Sequence, residues 1–497
     1  MSTAGLALPR PLPEPAAALR IALPVIAAVL VGAALGAGQP LLALIALLPF
    51  AVAVVLSPKA ATLAFAFSFY LNLPVLVSAQ TGVPGTITGL SILLLGVPVI
   101  RHLIVQRQAV VLTPAIGLMV AYLLALVISS VATQTPPAQA SAAIVAFLTE
   151  GLVLVVLVVN AVRTVDMLRL FIWAILGAGA VMGAVSVFQE LTGAYSNDFG
   201  GLGQINAEGF GVGDSALGGR EVRPRLAGPL GEQNRYAQVL LVLLPLAIGR
   251  IRAERTPLLR AAGAVAGALV VSGVLLTFSR GAFVALLLLI IALGATGFVR
   301  LRQLVVLGVA MFALLLVVAP DFLIRIQSLG EANSVSALEQ GQTDAALQGR
   351  ATENLAAFNA FRDHLLVGVG PEQFFRRYST EYGNDLGLRF LETNRRAHNL
   401  YLEIAADLGV VGLLAFLAIV VTTLVHLWRL AHWWEAQRPE LSILAMSVFL
   451  SLVAYMASGL FLQLSFQRYF WLLIALANAT IWILRHERPR EQAVNVR

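Results

Sequence analysis

Long apolar runs separated by short polar punctuation recur along almost the whole chain. A transmembrane helix needs about 20 mostly apolar residues. By that measure spans fall near 21–37, 41–56, 60–78, 87–104, 110–132, 141–161, 167–188, 236–250, 260–278, 281–299, 303–319, 399–429, 441–463 and 468–484. A pair of the short early runs could form one re-entrant element. The pattern therefore predicts an all-α integral membrane protein of about 12–14 transmembrane helices. Two polar stretches interrupt the rhythm, 189–235 and 320–398. In the larger one Leu355, Phe358, Phe361 and Leu365 fall near one face of a helix expected from about 351 to 365.

Basic residues orient the spans. The connections "SPKA", "RHLIVQRQ", "AVRTVDMLR", "RIRAERTPLLR", "VRLRQ" and "HWWEAQRPE" are basic, whereas "GAGQP", "AQTGVPGT" and "TQTPPAQ" carry no basic residue. The positive-inside rule puts the first set and both termini in the cytoplasm, and the two long polar segments outside. The expected organisation is a cytoplasmic tail at 1–20, spans in 21–188, an outer loop at 189–235 and spans in 236–319. A large outer loop at 320–398, spans in 399–484 and a cytoplasmic tail at 485–497 follow. The Pro-rich start lacks a signal-peptide cleavage pattern, so the first span is expected to act as an uncleaved anchor.

Composition agrees and excludes several chemistries. Of 497 residues 59% are hydrophobic and 12% charged, and mean hydropathy is +0.86; soluble chains carry about 25% charged residues. Cysteine is absent, which excludes disulfides, thiol catalysis and cysteine-bound metals. The net charge of +7 comes almost wholly from arginine, Lys59 being the one lysine. In such a chain that excess is first an orientation signal and then a hint of anionic partners. Membrane lipids are expected partners; nucleic acid is not.

The polar groups on the outer side carry the candidate chemistry. Arg280, in "LLTFSRGAFVALL", sits in a connection of almost no length between two apolar runs. It must snorkel to the interface or face a polar cavity. Arg220, Arg223, Arg225 and Arg235 precede one span, Arg350 opens the loop helix, and His398 with Asn399 opens the span after the loop. Arginine suits phosphate because its planar fork offers parallel donors and keeps its charge. Arginines converging on one outer cavity would suit a diphosphate, and a histidine beside them could act as general base. Arginine neighbours would hold that imidazole neutral. The plainer readings are a capping histidine, an arginine anchored to lipid headgroups, and loop arginines on a solvated face or beside acidic neighbours. Gly368 and Gly370 read as a tight turn, since no strand and helix frame them as a phosphate loop. Glu150, mid-span, must be protonated, paired or lining a polar cavity. Asn399, Glu403 and Asp407 share one helix face. One of those carboxylates could orient His398, although bracing the fold suits them better.

Taken in order, these features resemble the O-antigen ligase and polymerase family over roughly residues 220–465. The carriers are "RPRLAGPLGEQNRYAQVLLVLLPLA", "SRGAFVAL", "GRATENLAAFNAFRDHLLVGVGPEQFF" and "HNLYLEIAADLGVVGLLAFL". Two positions depart from the family's pattern: Asn354 stands where it commonly has tryptophan, and Leu365 follows His364 where it tends to have proline. The resemblance implies a multi-span bacterial inner-membrane enzyme acting on an undecaprenyl-diphosphate-linked glycan, with no metal or other cofactor. It implies that Arg280 and Arg350 bind the donor diphosphate and that His398 assists the acceptor nucleophile. Arg225, Asn234 and Asn399 would add substrate contacts. The acceptor would be a lipid A–core hydroxyl for a ligase, another lipid-linked repeat for a polymerase, or a protein hydroxyl; the reading here leans to ligase. A transporter of lipid-linked or anionic solutes is the rival class. Transporters, however, gather polar residues at the bilayer midplane, and here they gather at one face.

Overall fold

The computed structural model describes residues 57–81, 91–214, 220–318, 345–388, 390–462 and 467–494. The expected N-terminal tail and the spans at 21–37 and 41–56 lie outside the described residues. The chain divides at Ala61, and Thr62–Arg497 forms one compact unit; of the first unit only residues 57–61 are described, at the start of a helix.

The protein is an all-α integral membrane protein. Its helices are α1 (Pro58–Tyr70), α2 (Leu73–Thr81), α3 (Ser91–Val105), α4 (Pro114–Ala132), α5 (Pro137–Ala161), α6 (Val165–Thr192), α7 (Gln233–Ala253) and α8 (Pro257–Leu276). They continue with α9 (Arg280–Ala295), α10 (Leu301–Val318), α11 (Ala345–Asp363), α12 (Ser379–Asp385), α13 (Leu400–Glu435), α14 (Pro439–Ser458) and α15 (Arg468–Val494). Among the described residues eight helices are long and apolar enough to cross a membrane, or nine if α1 and α2, bent by 65°, form one span. Proline in the first turn starts α4, α5, α8 and α14, where its missing N–H costs nothing and its fixed φ suits the helix. The most enclosed spans are α7, α14 and α15, and Tyr236, Tyr455 and Trp471 lie among their fully buried side chains.

The segment 189–235, read from sequence only as a polar loop, contains an antiparallel hairpin of β1 (Gln204–Asp214) and β2 (Arg220–Gly228), with Asn206 opposite Arg225. Glu150 lies in a π-helical turn of α5 and lines a pocket with Asn72, Ser91 and Arg468. It therefore faces a pocket shared with the Arg468 side chain.

In the second polar segment the helix is observed at Ala345–Asp363, with large apolar side chains turned outward. Thr352, Glu353, Ala356, Ala357 and Ala360 form the buried face of α11, while Leu355, Phe358 and Leu365 are exposed. Small side chains let α11 approach closely, and they share a small core with Val369, Phe374, Ala397 and Ala406.

Helix α13 is broken at Gly409, which takes φ 65° and ψ −165°. Residues 365–370 fill the break: the N–H groups of Val410 and Val411 donate to the carbonyls of Leu365 (2.8 Å) and Leu366 (3.3 Å). In return Val369 and Gly370 donate to Ala406 and Asp407, each at 2.9 Å, and Ser129 Oγ on α4 donates to the Val367 carbonyl at 2.6 Å. A Cβ on Gly368 would lie 2.3 Å from Asp407 backbone, and one on Gly409 would lie 2.3 Å from the Leu366 carbonyl oxygen. The Gly-Val-Gly is thus a tight docking turn, as its sequence context suggested.

Candidate functional site

Three residues separate α8 from α9, and the turn is fixed by its own polar groups. Ser279 Oγ accepts from the Ala282 N–H, capping α9, and donates to Asn234 Oδ1 at 2.8 Å. Asn234 Nδ2 in turn donates to Glu232 Oε1 at 2.8 Å, and Glu232 caps α7. From the hairpin, Arg225 Nε donates to the Thr277 carbonyl (2.9 Å) and Nη2 to Asn234 Oδ1 (3.3 Å). One carboxamide therefore joins β2, α7 and the α8–α9 turn. Arg280 is the first residue of α9 and only 7% exposed. It is held inside the protein, unlike an arginine spread on lipid headgroups. The helix N-terminus beside it adds positive potential.

Facing this turn is Arg350 on α11. Arg350, Asn234, Gln238, Ser279, Gly281 and Phe461 line one narrow cleft, so the structure brings Arg350 to the corner that carries Arg280. One helical turn beyond Arg350 on α11 is Glu353, buried, whose Oε2 lies 3.5 Å from His398 Nε2. Residues three apart on a helix share a face, which puts the acid–histidine pair next to the cleft that Arg350 lines.

His398 is fixed from both sides along the chain. The Asn399 side chain accepts from the N–H groups of Tyr401 and Leu402 and so caps α13, and the Leu400 N–H donates to the Gly459 carbonyl at 2.7 Å. Before it, Arg395 N–H donates to Ser379 Oγ (3.0 Å). Arg396 bonds Glu403 at 2.7 Å, lies 3.5 Å from Glu372 and stacks 4.4 Å above the Phe375 ring. Burial pulls the Arg396 pKa down, but Glu403 and Glu372 outweigh it, and the group titrates above its ordinary value. Asp407 Oδ1 accepts from the Phe374 N–H at 2.9 Å. Glu403 and Asp407 thus brace the loop against α13, and the carboxylate beside His398 comes from α11.

Glu353 is the residue that sequence reading missed. Its one available signal was the i, i+3 spacing from Arg350 on an expected helix. Arg376 pairs with Glu372, the acidic neighbour one plain reading held, whereas Arg223, read as part of a solvated face, is half-buried and paired with Glu190. Among the described residues no group of three or more His, Asp or Glu side chains could hold a metal ion.

A protein-family model, the O-antigen ligase domain, matches residues 265–417. The matched stretch holds Arg280, Arg350, Glu353, His398 and the break at Gly409, while Arg225 and Asn234 precede it. No curated protein matches the chain.

Proposed function

We propose that this protein moves a glycan from undecaprenyl diphosphate to a lipid A–core hydroxyl at the periplasmic face of the bacterial inner membrane, a reading supported by the match of residues 265–417 to the O-antigen ligase family model. The observation that carries the reading is the cleft where Arg350 meets the α8–α9 turn, with the pair of His398 and Glu353 one helical turn away.

In this reading Arg280 and Arg350 hold the donor diphosphate, and Arg225 adds positive charge through the Asn234 junction. The acceptor oxygen attacks the anomeric carbon as the bond to the phosphate oxygen breaks. The bonding electrons leave on the diphosphate, whose growing charge the arginines stabilise. His398 takes the hydroxyl proton. The Glu353 carboxylate fixes the ring and favours the imidazolium as it forms, as an acid–histidine pair does in acyl transfer. A single direct displacement inverts the anomeric centre. Asn399 serves by capping α13 and setting the place of His398.

The test uses cells lacking the gene, with lipid-linked and surface glycans separated by size. Full-length polymer accumulating on undecaprenyl diphosphate, with none on the surface acceptor, supports the ligase. Single repeat units attached to the acceptor would instead assign a polymerase.

A further inference from the structure

The outward face of the second polar segment is apolar where it meets the spans. Leu355 and Phe358 on α11, and Leu365 and Leu366 in the strap after it, are exposed, Leu366 at 67%. Soluble surfaces rarely gather large apolar side chains into one patch without an occupant.

Backbone hydrogen bonds fix the level of this patch. The Leu365 and Leu366 carbonyls accept from Val410 and Val411 in α13, and Val367 accepts from Ser129 in the last turn of α4. The exposed residues beside those partners are Val411 and Leu414 on α13 and Ile128 and Val131 on α4, Val131 at 73%. These side chains belong to helices long and apolar enough to span a bilayer. The patch is therefore continuous with a membrane-facing surface.

Helix length agrees. Beyond the Gly409 break α13 runs from residue 410 to 435, about 39 Å at 1.5 Å per residue, against a hydrocarbon core of about 30 Å. Its uncharged stretch begins after Asp407, at the Gly409 break. The charged groups Glu403 and Asp407 thus stand above the core, and the strap lies at its edge. Irregular backbone survives at such a depth only if its polar groups are paired within the protein. The reciprocal bonds between residues 365–370 and 406–411 do this.

We propose that the strap and the outward face of α11 are embedded in the bilayer at the site end of the spans, with lipid acyl chains covering Leu355, Phe358, Leu365 and Leu366. Embedding holds Arg350 and Glu353, on the opposite side of α11, at headgroup depth. A lipid-linked diphosphate would meet them there without leaving the membrane. The embedding itself does not depend on the chemistry proposed above.

The chain has no cysteine, so one introduced thiol labels uniquely. A fluorophore on Leu366→Cys, and separately on Phe358→Cys, is read in nanodiscs with lipid-borne nitroxide or aqueous iodide as quencher. Val131→Cys is the lipid reference and Glu381→Cys, at an exposed position of α12, the water reference. Both test probes are expected to follow the lipid reference. Quenching by iodide at the level of Glu381→Cys would overturn the proposal by placing the patch in water. Protection from both quenchers would overturn it too, because a protein surface, such as a second copy of this chain, would then be the occupant.

Discussion

In the first polar segment, Arg223 is paired with Glu190, and Arg225 is bonded to the Thr277 carbonyl and Asn234. In the second, Arg350 lines the cleft and Glu353, a turn further on, faces His398. The two segments carry similar residues, yet one hairpin fastens the α8–α9 turn while one helix brings groups to the cleft. What separates them is where each guanidinium lies. Arg225 bonds the Thr277 carbonyl and the Asn234 carboxamide at the turn, whereas Arg350 lines the cleft itself.

Substitutions can break or sharpen that contrast. The largest effect is expected for His398→Ala, with turnover down about 10²–10⁴-fold, the usual worth of general acid–base catalysis, and membrane insertion unchanged. Arg280→Lys and Arg350→Lys keep the charge but lose the bidentate fork. Each is expected to cost about 2.7–4 kcal/mol of barrier, by analogy with a lost oxyanion donor, and near-full activity in either would sink the diphosphate reading. Glu353→Gln should lower turnover about 10–100-fold, as the loss of a partner that orients an imidazole does elsewhere, and should change the pH profile with little change in KM. Equal loss at every pH would leave Glu353 a packing residue. Arg225→Lys is expected to cost only on the order of tenfold, the worth of one hydrogen bond to a charged group. A loss matching that of Arg280→Lys would erase the distinction between the segments. Smallest for catalysis is Gly409→Ala, which should leave the folded enzyme active but lower stability by on the order of 1–3 kcal/mol. Thermal unfolding in nanodiscs measures it.

Much of the molecule was legible in its sequence because membranes make charge conspicuous. Arg280 and His398 stand where apolar runs begin or end, and Arg350 stands at the start of the expected loop helix, so each could be singled out. Glu353 was not legible, since an acid within a polar helix looks like solvated surface until the helix is seen lying against His398. Nor was the outward turn of Leu355 and Phe358. Periodicity finds an apolar face but not its direction, and here Ala356, Ala357 and Ala360 won the inner side by allowing close approach. The break in α13 escaped for a related reason. "DLGVVG" reads as continuous helix, and only the docking of residues 365–370 stabilises Gly409 in its non-helical conformation. The hairpin of β1 and β2 was hidden in a segment read as loop.

The central claim divides the work between arginines that hold the diphosphate and a histidine that moves the proton. Its most direct test is the affinity of the purified protein, in nanodiscs, for the undecaprenyl-diphosphate glycan, compared among wild type, His398→Ala and Arg280→Lys. The account predicts that His398→Ala binds the donor as wild type does and that Arg280→Lys binds it more weakly. Weak binding by His398→Ala together with normal binding by Arg280→Lys would contradict it.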